Sequence, residues 1–128
     1  MIPIYICEDN IVELATMKKI ITNLLFIEDY DMELACCTTK PEDILSHLKP
    51  NMPLGIYFFD LQADINGLAL AEKIREYDPS GYIVFITSHI DMWRLTFEYK
   101  VSALDFIEKC ETKYLAQKIA SCLSAIWR

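Results

Sequence analysis

The chain has 128 residues, of which 53% are hydrophobic, and its formal net charge is −7. A chain of this length forms one domain that buries roughly two thirds of its unfolded surface. The negative charge argues against direct binding of nucleic acid, which requires clustered lysines and arginines. The five cysteines form no C-x-x-C pair, so neither a zinc site nor a disulfide framework is indicated. No secretory signal and no apolar run of membrane length is seen, and we expect a cytoplasmic domain without membrane contact.

The first part of the chain predicts a strand, a helix, a strand and a second helix. Residues 2–7 are an isoleucine-rich apolar run, typical of a buried strand. Asn10 and Glu13 resemble a capping box, which predicts the start of a helix with apolar residues every three or four positions. Residues 32–37 predict the second strand, and Thr39 heads a second predicted capping box.

The middle of the chain contains a run of apolar aromatic residues that ends in a carboxylate. Residues 57–59 are all aromatic, and Asp60 follows them directly. A strand without polar alternation is buried on both faces, which is typical of a parallel sheet covered by helices. A carboxylate at the carboxyl end of such a strand lies where open α/β sheets bind their ligands. Asp60 is therefore the first candidate for a chemical role.

The remainder of the chain continues the alternation of strands and helices. It predicts helices over 67–77 and 91–100, strands over 82–86 and 104–107, and a last helix whose apolar face includes residues 115, 119, 122 and 126. Strict alternation implies right-handed crossovers. The predicted fold is a flavodoxin-like α/β fold: a doubly wound, five-stranded parallel sheet with helices on both faces.

Polar residues stand at the ends of four predicted strands: Glu8 and Asp9, Asp60, Thr87 and Lys109. The carboxyl ends of parallel strands lie along one edge, so these side chains converge. Three carboxylates repel one another unless a cation joins them, and oxygen ligands suit Mg²⁺. A lysine and a hydroxyl supply the positive charge and the hydrogen bond that a phosphoryl group needs. We therefore predict that Asp60 accepts a phosphoryl group.

At these residues the whole chain resembles the receiver domains of two-component response regulators. The resemblance rests on Glu8, Asp9, Asp60, Thr87, Phe106 and Lys109. More narrowly, residues 83–89 and 95–106 resemble the Agr/Com-type regulators of peptide quorum sensing in Gram-positive bacteria. Those regulators carry a LytTR DNA-binding domain after the receiver. Residues 1–128 are therefore expected to be a receiver domain, and DNA binding is expected only through a C-terminal domain that this chain lacks.

The resemblance implies a metal site and a phosphoryl donor. Asp60 would be the nucleophile that takes the phosphoryl group from a sensor histidine kinase. Asp9 and Asp60 would bind Mg²⁺ directly, together with the backbone carbonyl of Gln62, and Glu8 would act mostly through water. Such a domain is a signalling switch, which controls transcription through its effector domain, rather than an enzyme.

The resemblance also implies how the switch would work. Lys109 would pair with the phosphoryl oxygens, Thr87 would move to hydrogen-bond them, and Phe106 would swing into the space that Thr87 vacates. Gln62 and His89 border the route of hydrolytic water and would set the lifetime of the phosphoryl group. Two departures from most receivers concern loop geometry: Cys110 replaces a proline after the lysine, and no proline precedes the glycine of the loop after the acceptor.

The predicted helix over 91–100 has two apolar stripes, one of which includes Trp93 and Phe97. One stripe must face the sheet. The other, together with the fifth strand and the last helix, is a candidate homodimer interface that responds to phosphorylation. The alternative is that all of these aromatic residues belong to the core.

Three functions other than that of a receiver domain are alternatives for this sequence. An FMN-binding flavodoxin needs an anion-accepting loop after the first strand, where Glu8 and Asp9 would repel a phosphate. A phosphohydrolase with an aspartate nucleophile would have a second acid at the position of Gln62. A pseudo-receiver would use the fold only for protein contacts, and the sequence leaves that alternative open.

Overall fold

The computed structural model describes residues 1–60, 66–88, 94, 101–109 and 111–128. Its elements are β1 (Ile2–Cys7), α1 (Ile11–Glu28), β2 (Met32–Thr38), α2 (Pro41–Leu45), β3 (Ile56–Asp60), α3 (Asn66–Tyr77), β4 (Tyr82–Thr87), β5 (Asp105–Glu108) and α4 (Thr112–Trp127). The five predicted strands are confirmed, as are the four predicted helices that fall on described residues. Apart from Arg94, the helix predicted over 91–100 lies outside them. Within the described part of the chain, no helix has the length and apolar character needed to cross a membrane.

The five strands form one parallel sheet in the order β2-β1-β3-β4-β5. The chain passes from β1 outward to β2, returns to β3 on the other side of β1, and then continues in one direction. Strand β3 is therefore central, and its last residue, Asp60, lies between the carboxyl ends of β1 and β4. This arrangement confirms the predicted doubly wound sheet and places the switch point of the topology, where such folds bind ligands, between β1 and β3.

Alternate residues of each central strand enter two separate cores, which explains the unbroken apolar runs in the sequence. On one face, aliphatic residues such as Ile4, Ile6 and Val84 pack with buried residues of α1 and α4. On the other face, aromatic residues such as Tyr57 and Phe59 pack with buried residues of α2 and α3. Both faces are covered, as the composition of the strands predicts.

The predicted capping box at the start of α1 is half confirmed. The side chain of Asn10 accepts hydrogen bonds from the backbone N–H groups of Val12 and Glu13, at 3.0 and 3.1 Å. The backbone N–H of Asn10 donates to Glu8 Oε2 at 3.1 Å rather than to Glu13. The Glu13 carboxylate is consequently available for a tertiary contact.

The predicted capping box at Thr39 is wrong. Helix α2 begins at Pro41 with Lys40 as its N-cap residue, and no side chain caps it. The hydroxyl of Thr38, the last residue of β2, instead accepts from the Lys40 N–H at 3.0 Å and bonds to Asp43 in the first turn. Because β2 runs one residue further than predicted, the threonine that orders this turn is Thr38.

The edge of the sheet at which the strands begin is held by two polar residues near the end of α3. Asp78 is 4% exposed, and its Oδ2 accepts from the Gly55 N–H at 2.9 Å and from the Tyr57 hydroxyl at 2.6 Å. Arg75 donates to five backbone carbonyls at 2.7–3.2 Å, those of residues 78, 79, 81, 101 and 102. These bonds join α3 to the segments that precede β3, β4 and β5.

Candidate functional site

Three carboxylates meet at the carboxyl ends of β1 and β3. One oxygen from each of Glu8, Asp9 and Asp60 lies within 4.8 Å of the others, because β1 and β3 are paired neighbours. Glu8 is fully buried, the Asp60 side chain is 5% exposed, and Asp9 is exposed. The structure thus brings together the three acids that the sequence predicts to converge. The site opens to solvent on the Asp9 side.

Lys109 follows β5 and reaches across β4 to these acids. Its Nζ lies 2.7 Å from Glu8 Oε1, 2.8 Å from Glu13 Oε2 and 3.1 Å from Asp60 Oδ1. The Lys109 side chain is 17% exposed. One ammonium therefore serves three carboxylates, and the local charge stays negative.

This environment raises the pKa values of Glu8 and Asp60 but lowers that of Asp9. Burial raises the pKa of Glu8 to about 8, although the neighbouring Lys109 ammonium and a hydrogen bond from the Asn10 backbone act to lower it. Burial also raises the pKa of Asp60, against the lowering effect of Lys109. In Asp9, burial acts to raise the pKa, but hydrogen bonds with Glu8 and Asp60, the charge of Lys109 and a backbone hydrogen bond together lower it. The pKa values of the two buried acids are therefore raised mainly by loss of contact with water, which the one cation that they share offsets only in part.

The pKa of Lys109 is raised. Burial alone would lower it, but the carboxylates of Glu13, Glu8 and Asp60 more than compensate. Lys109 is therefore a permanent cation at physiological pH, suited to pairing with an anionic group.

Thr87 and Phe106 lie on the two strands beyond the acceptor. Thr87 is the last residue of β4 and is fully buried, and its backbone carbonyl accepts from the Lys109 N–H at 2.7 Å. Phe106 in β5 is half-buried, with its ring centroid 6.1 Å from that of Phe85. The backbone of the predicted switch hydroxyl is thus joined directly to that of the lysine.

A cleft of about 360 Å³ opens beside the acceptor. It is lined by Asp9, Asn10, Glu13, Asp60, Ser88 and Lys109. Its walls are polar, and it gives a small anion or a donor group a path to Asp60. Of the other predicted residues, Gln62, His89, Trp93, Phe97 and Cys110 lie outside the described part of the chain.

Glu13 is the site residue that sequence reasoning missed. Its position three residues after Asn10 led to its interpretation as half of a capping box, yet its carboxylate binds Lys109. The two residues are 96 positions apart, so no local pattern links them. The only available signal was its place in the first turn of a helix that follows the acidic pair.

The sequence of the chain matches that of a known protein family. Residues 4–120 match the family model of the response regulator receiver domain. The chain therefore belongs to the response regulator receiver domain family, which confirms the predicted family.

Individual relatives show which response regulators the chain resembles. Over 122 residues, 94% of this chain, it is 44% identical to accessory gene regulator protein A of Staphylococcus epidermidis. It is 43% identical to the protein of that name from Staphylococcus aureus over the same length. The predicted resemblance to Agr-type regulators is thus confirmed. The chain spans about half the length, 51%, of these curated relatives.

Solved structures confirm the fold. The response regulatory domain of protein mrkE from Klebsiella pneumoniae superposes with a TM-score of 0.75 at 23% identity, and the match covers 98% of each chain. At 23% identity the match shows only that the two domains share a fold. That fold is the predicted flavodoxin-like α/β arrangement.

Proposed function

We propose that this domain is a phosphorylation-dependent signalling switch that receives a phosphoryl group on Asp60 from a sensor histidine kinase. The observation that carries the proposal is the position of Asp60. It ends the central strand, opens on a polar cleft, and has Lys109 Nζ at 3.1 Å and two further carboxylates nearby. Membership of the receiver family supports the same reaction.

The proposed chemistry is a single displacement at phosphorus. A carboxylate oxygen of Asp60 forms a bond to phosphorus while the bond from phosphorus to the donor's imidazole nitrogen breaks, and the imidazole keeps the electron pair. Lys109 offsets the charge of the transferred group. Such reactions depend mainly on positioning and charge neutralisation, which fits a site built from acids and one ammonium.

The acids fit a magnesium ion. Among the described residues, Glu8 Oε1 is the buried side-chain oxygen that lacks a hydrogen bond of good geometry, although Lys109 Nζ makes an ion pair with it at 2.7 Å. A buried anion in this situation gains from a second cation. We infer that Asp9, Asp60 and the Gln62 carbonyl would hold the ion and that Glu8 would act through water. The ion would supply positive charge to the phosphoryl oxygens.

The switch itself is proposed to run from Thr87 to Phe106. The Thr87 hydroxyl would turn toward the phosphoryl oxygens, and the Phe106 ring would move into the space it leaves. Thr87 and Phe85 are fully buried, whereas the neighbouring Phe106 is half-buried and has solvent on one side of its ring. This difference supports the proposed order of events.

The output is proposed to be transcriptional. The relatives are about twice as long as this chain, and we infer that the longer protein acts in the cytoplasm through a C-terminal DNA-binding domain. Phosphorylation would favour a homodimer through the surface that includes Trp93 and Phe97. Sedimentation with and without beryllofluoride tests this: an unchanged monomer at high concentration in both states would reject dimerisation.

Incubation with acetyl phosphate and Mg²⁺, read by intact mass, tests the proposed acceptor. The wild-type domain should gain one phosphoryl group, and Asp60→Asn should gain none. Asp31→Asn, which alters an exposed aspartate elsewhere, should label normally. Labelling of Asp60→Asn would show that the acceptor is a different residue. Steady release of phosphate would identify a phosphohydrolase, and the absence of any adduct would favour a protein interaction module.

A further inference from the structure

Glu13 binds the ammonium group that a phosphoryl group on Asp60 would need. Its Oε2 accepts a hydrogen bond from Lys109 Nζ at 2.8 Å, whereas Asp60 Oδ1 is 3.1 Å from the same atom. None of the roles assigned so far uses this contact.

The ammonium group of Lys109 is already surrounded by carboxyl oxygens. An ammonium group has three N–H bonds, and three carboxylates, those of Glu8, Glu13 and Asp60, lie within 3.1 Å of Nζ. A phosphoryl group on Asp60 would take over the contact that Asp60 Oδ1 now makes, and it can gain more of the Lys109 ammonium only when Glu8 or Glu13 gives way. Glu8 is a poor candidate for release because it is fully buried, so water could not replace the contact that it would lose.

Glu13 is the partner that can leave. Its side chain is 46% exposed, against 0% for Glu8 and 5% for Asp60, so water can solvate its carboxylate once Lys109 has moved. Glu13 also lines the cleft that leads to Asp60, where its negative charge faces an arriving anionic donor. Both effects oppose occupation of Asp60.

We propose that Glu13 competes with the phosphoryl group for Lys109 and thereby raises the donor concentration needed to fill Asp60. The inference rests on the function proposed above and adds a regulatory residue to the same site. Glu13 is a positioning residue, since it acts through Lys109 and does not touch the reacting atoms. The bonds made and broken at phosphorus are unchanged, and Glu13 only exchanges a hydrogen bond from Lys109 for hydrogen bonds from water.

Two substitutions of Glu13 separate its contact from its charge. Glu13→Gln keeps the length of the side chain and removes the charge, whereas Glu13→Asp keeps the charge but is too short to hold Lys109. The initial rate of adduct formation is measured against acetyl phosphate concentration at fixed Mg²⁺. Both variants should lower the half-saturating concentration by about two- to fivefold, the range expected for loss of a partly exposed ion pair, with little change in the maximal rate.

Glu28→Gln is the matched control because it removes one charge from the exposed far end of the same helix. It should leave the half-saturating concentration unchanged, and thermal unfolding of each variant checks that the fold is intact. The proposal is overturned by an unchanged value in Glu13→Gln, by wild-type behaviour of Glu13→Asp, or by an equal shift in Glu28→Gln.

A second readout distinguishes failure of this inference from failure of the proposed function. Trace acylation of lysine amines without any phosphoryl donor, read by peptide mass, compares Lys109 with the exposed Lys40. Lys109 should become more reactive in both Glu13 variants. If it does and the wild type takes up no phosphoryl group, the proposed function fails while the competition for Lys109 stands. If its reactivity is unchanged, the inference fails even where Asp60 is labelled.

Discussion

Among the carboxyl groups of the described residues, that of Glu8 has the pKa raised furthest from its ordinary value. It is fully buried beside Lys109, and burial raises its pKa from 4.5 to about 8. The folded state consequently binds this proton more tightly than the unfolded chain does. The associated stability is fully present below pH 4.5 and is lost as the pH rises through about 8.

This linkage predicts a pH-dependent effect of Glu8→Gln. In EDTA, the variant should gain stability over the wild type as the pH rises from 5 to 8, by roughly 2 kcal/mol once coupling to Lys109 is allowed for. Urea unfolding at several pH values measures the difference. The exposed Glu33→Gln should show no such trend, and a constant offset between Glu8→Gln and the wild type would contradict the assignment.

Two buried cysteines should be unreactive in the folded domain. Burial raises the pKa values of Cys7 and Cys122 to about 12. Because the thiolate is the reactive form, neither should be alkylated by iodoacetamide in the native protein at pH 8, and both should react in urea. Peptide mass mapping measures this, and rapid native alkylation of Cys7 would show that β1 is more accessible than the structure indicates.

The sequence predicts the three central strands well, because β1, β3 and β4 are largely buried on both faces and therefore read as apolar runs. Helix starts are less predictable, since they depend on single hydrogen bonds. Thr38 and Thr39 are chemically identical neighbours, and only the length of β2 decides which one orders the turn before α2. The contact between Glu13 and Lys109 could not be predicted, because it joins two elements that meet only in the folded sheet.

The hydrogen bonds of Asp78 should contribute measurably to the stability of the fold. Asp78→Ala would leave the buried Tyr57 hydroxyl and the Gly55 N–H without their acceptor, which should cost about 3 kcal/mol of the free energy of unfolding. Tyr57→Phe leaves Asp78 bonded to Gly55 and should cost only about 1 kcal/mol. Urea unfolding measures both, and equal costs would show that the Gly55 bond contributes nothing.

The whole molecule should respond to the metal that its acids are proposed to hold. A ligand that binds only the folded state stabilises it by about 2.7 kcal/mol at one hundred times its Kd. Mg²⁺ at that concentration should therefore raise the Tm by roughly 10 °C, and EDTA should reverse the shift.

Asp9→Asn is the informative variant for this effect. Asp9 is exposed, so its substitution should leave the fold intact while it removes the Mg²⁺-dependent shift. Asp31→Asn, at another exposed site, should retain it. An equal shift in Asp9→Asn would show that magnesium binds elsewhere on the molecule.

The guanidinium of Arg75 anchors the edge of the sheet farthest from Asp60, with five carbonyl groups within 3.2 Å. Pro79 and Ser80 lie within that anchored turn and are exposed. A spectroscopic label attached at Ser80 would therefore provide a fixed reference point, from which displacements elsewhere in the domain can be measured as distances.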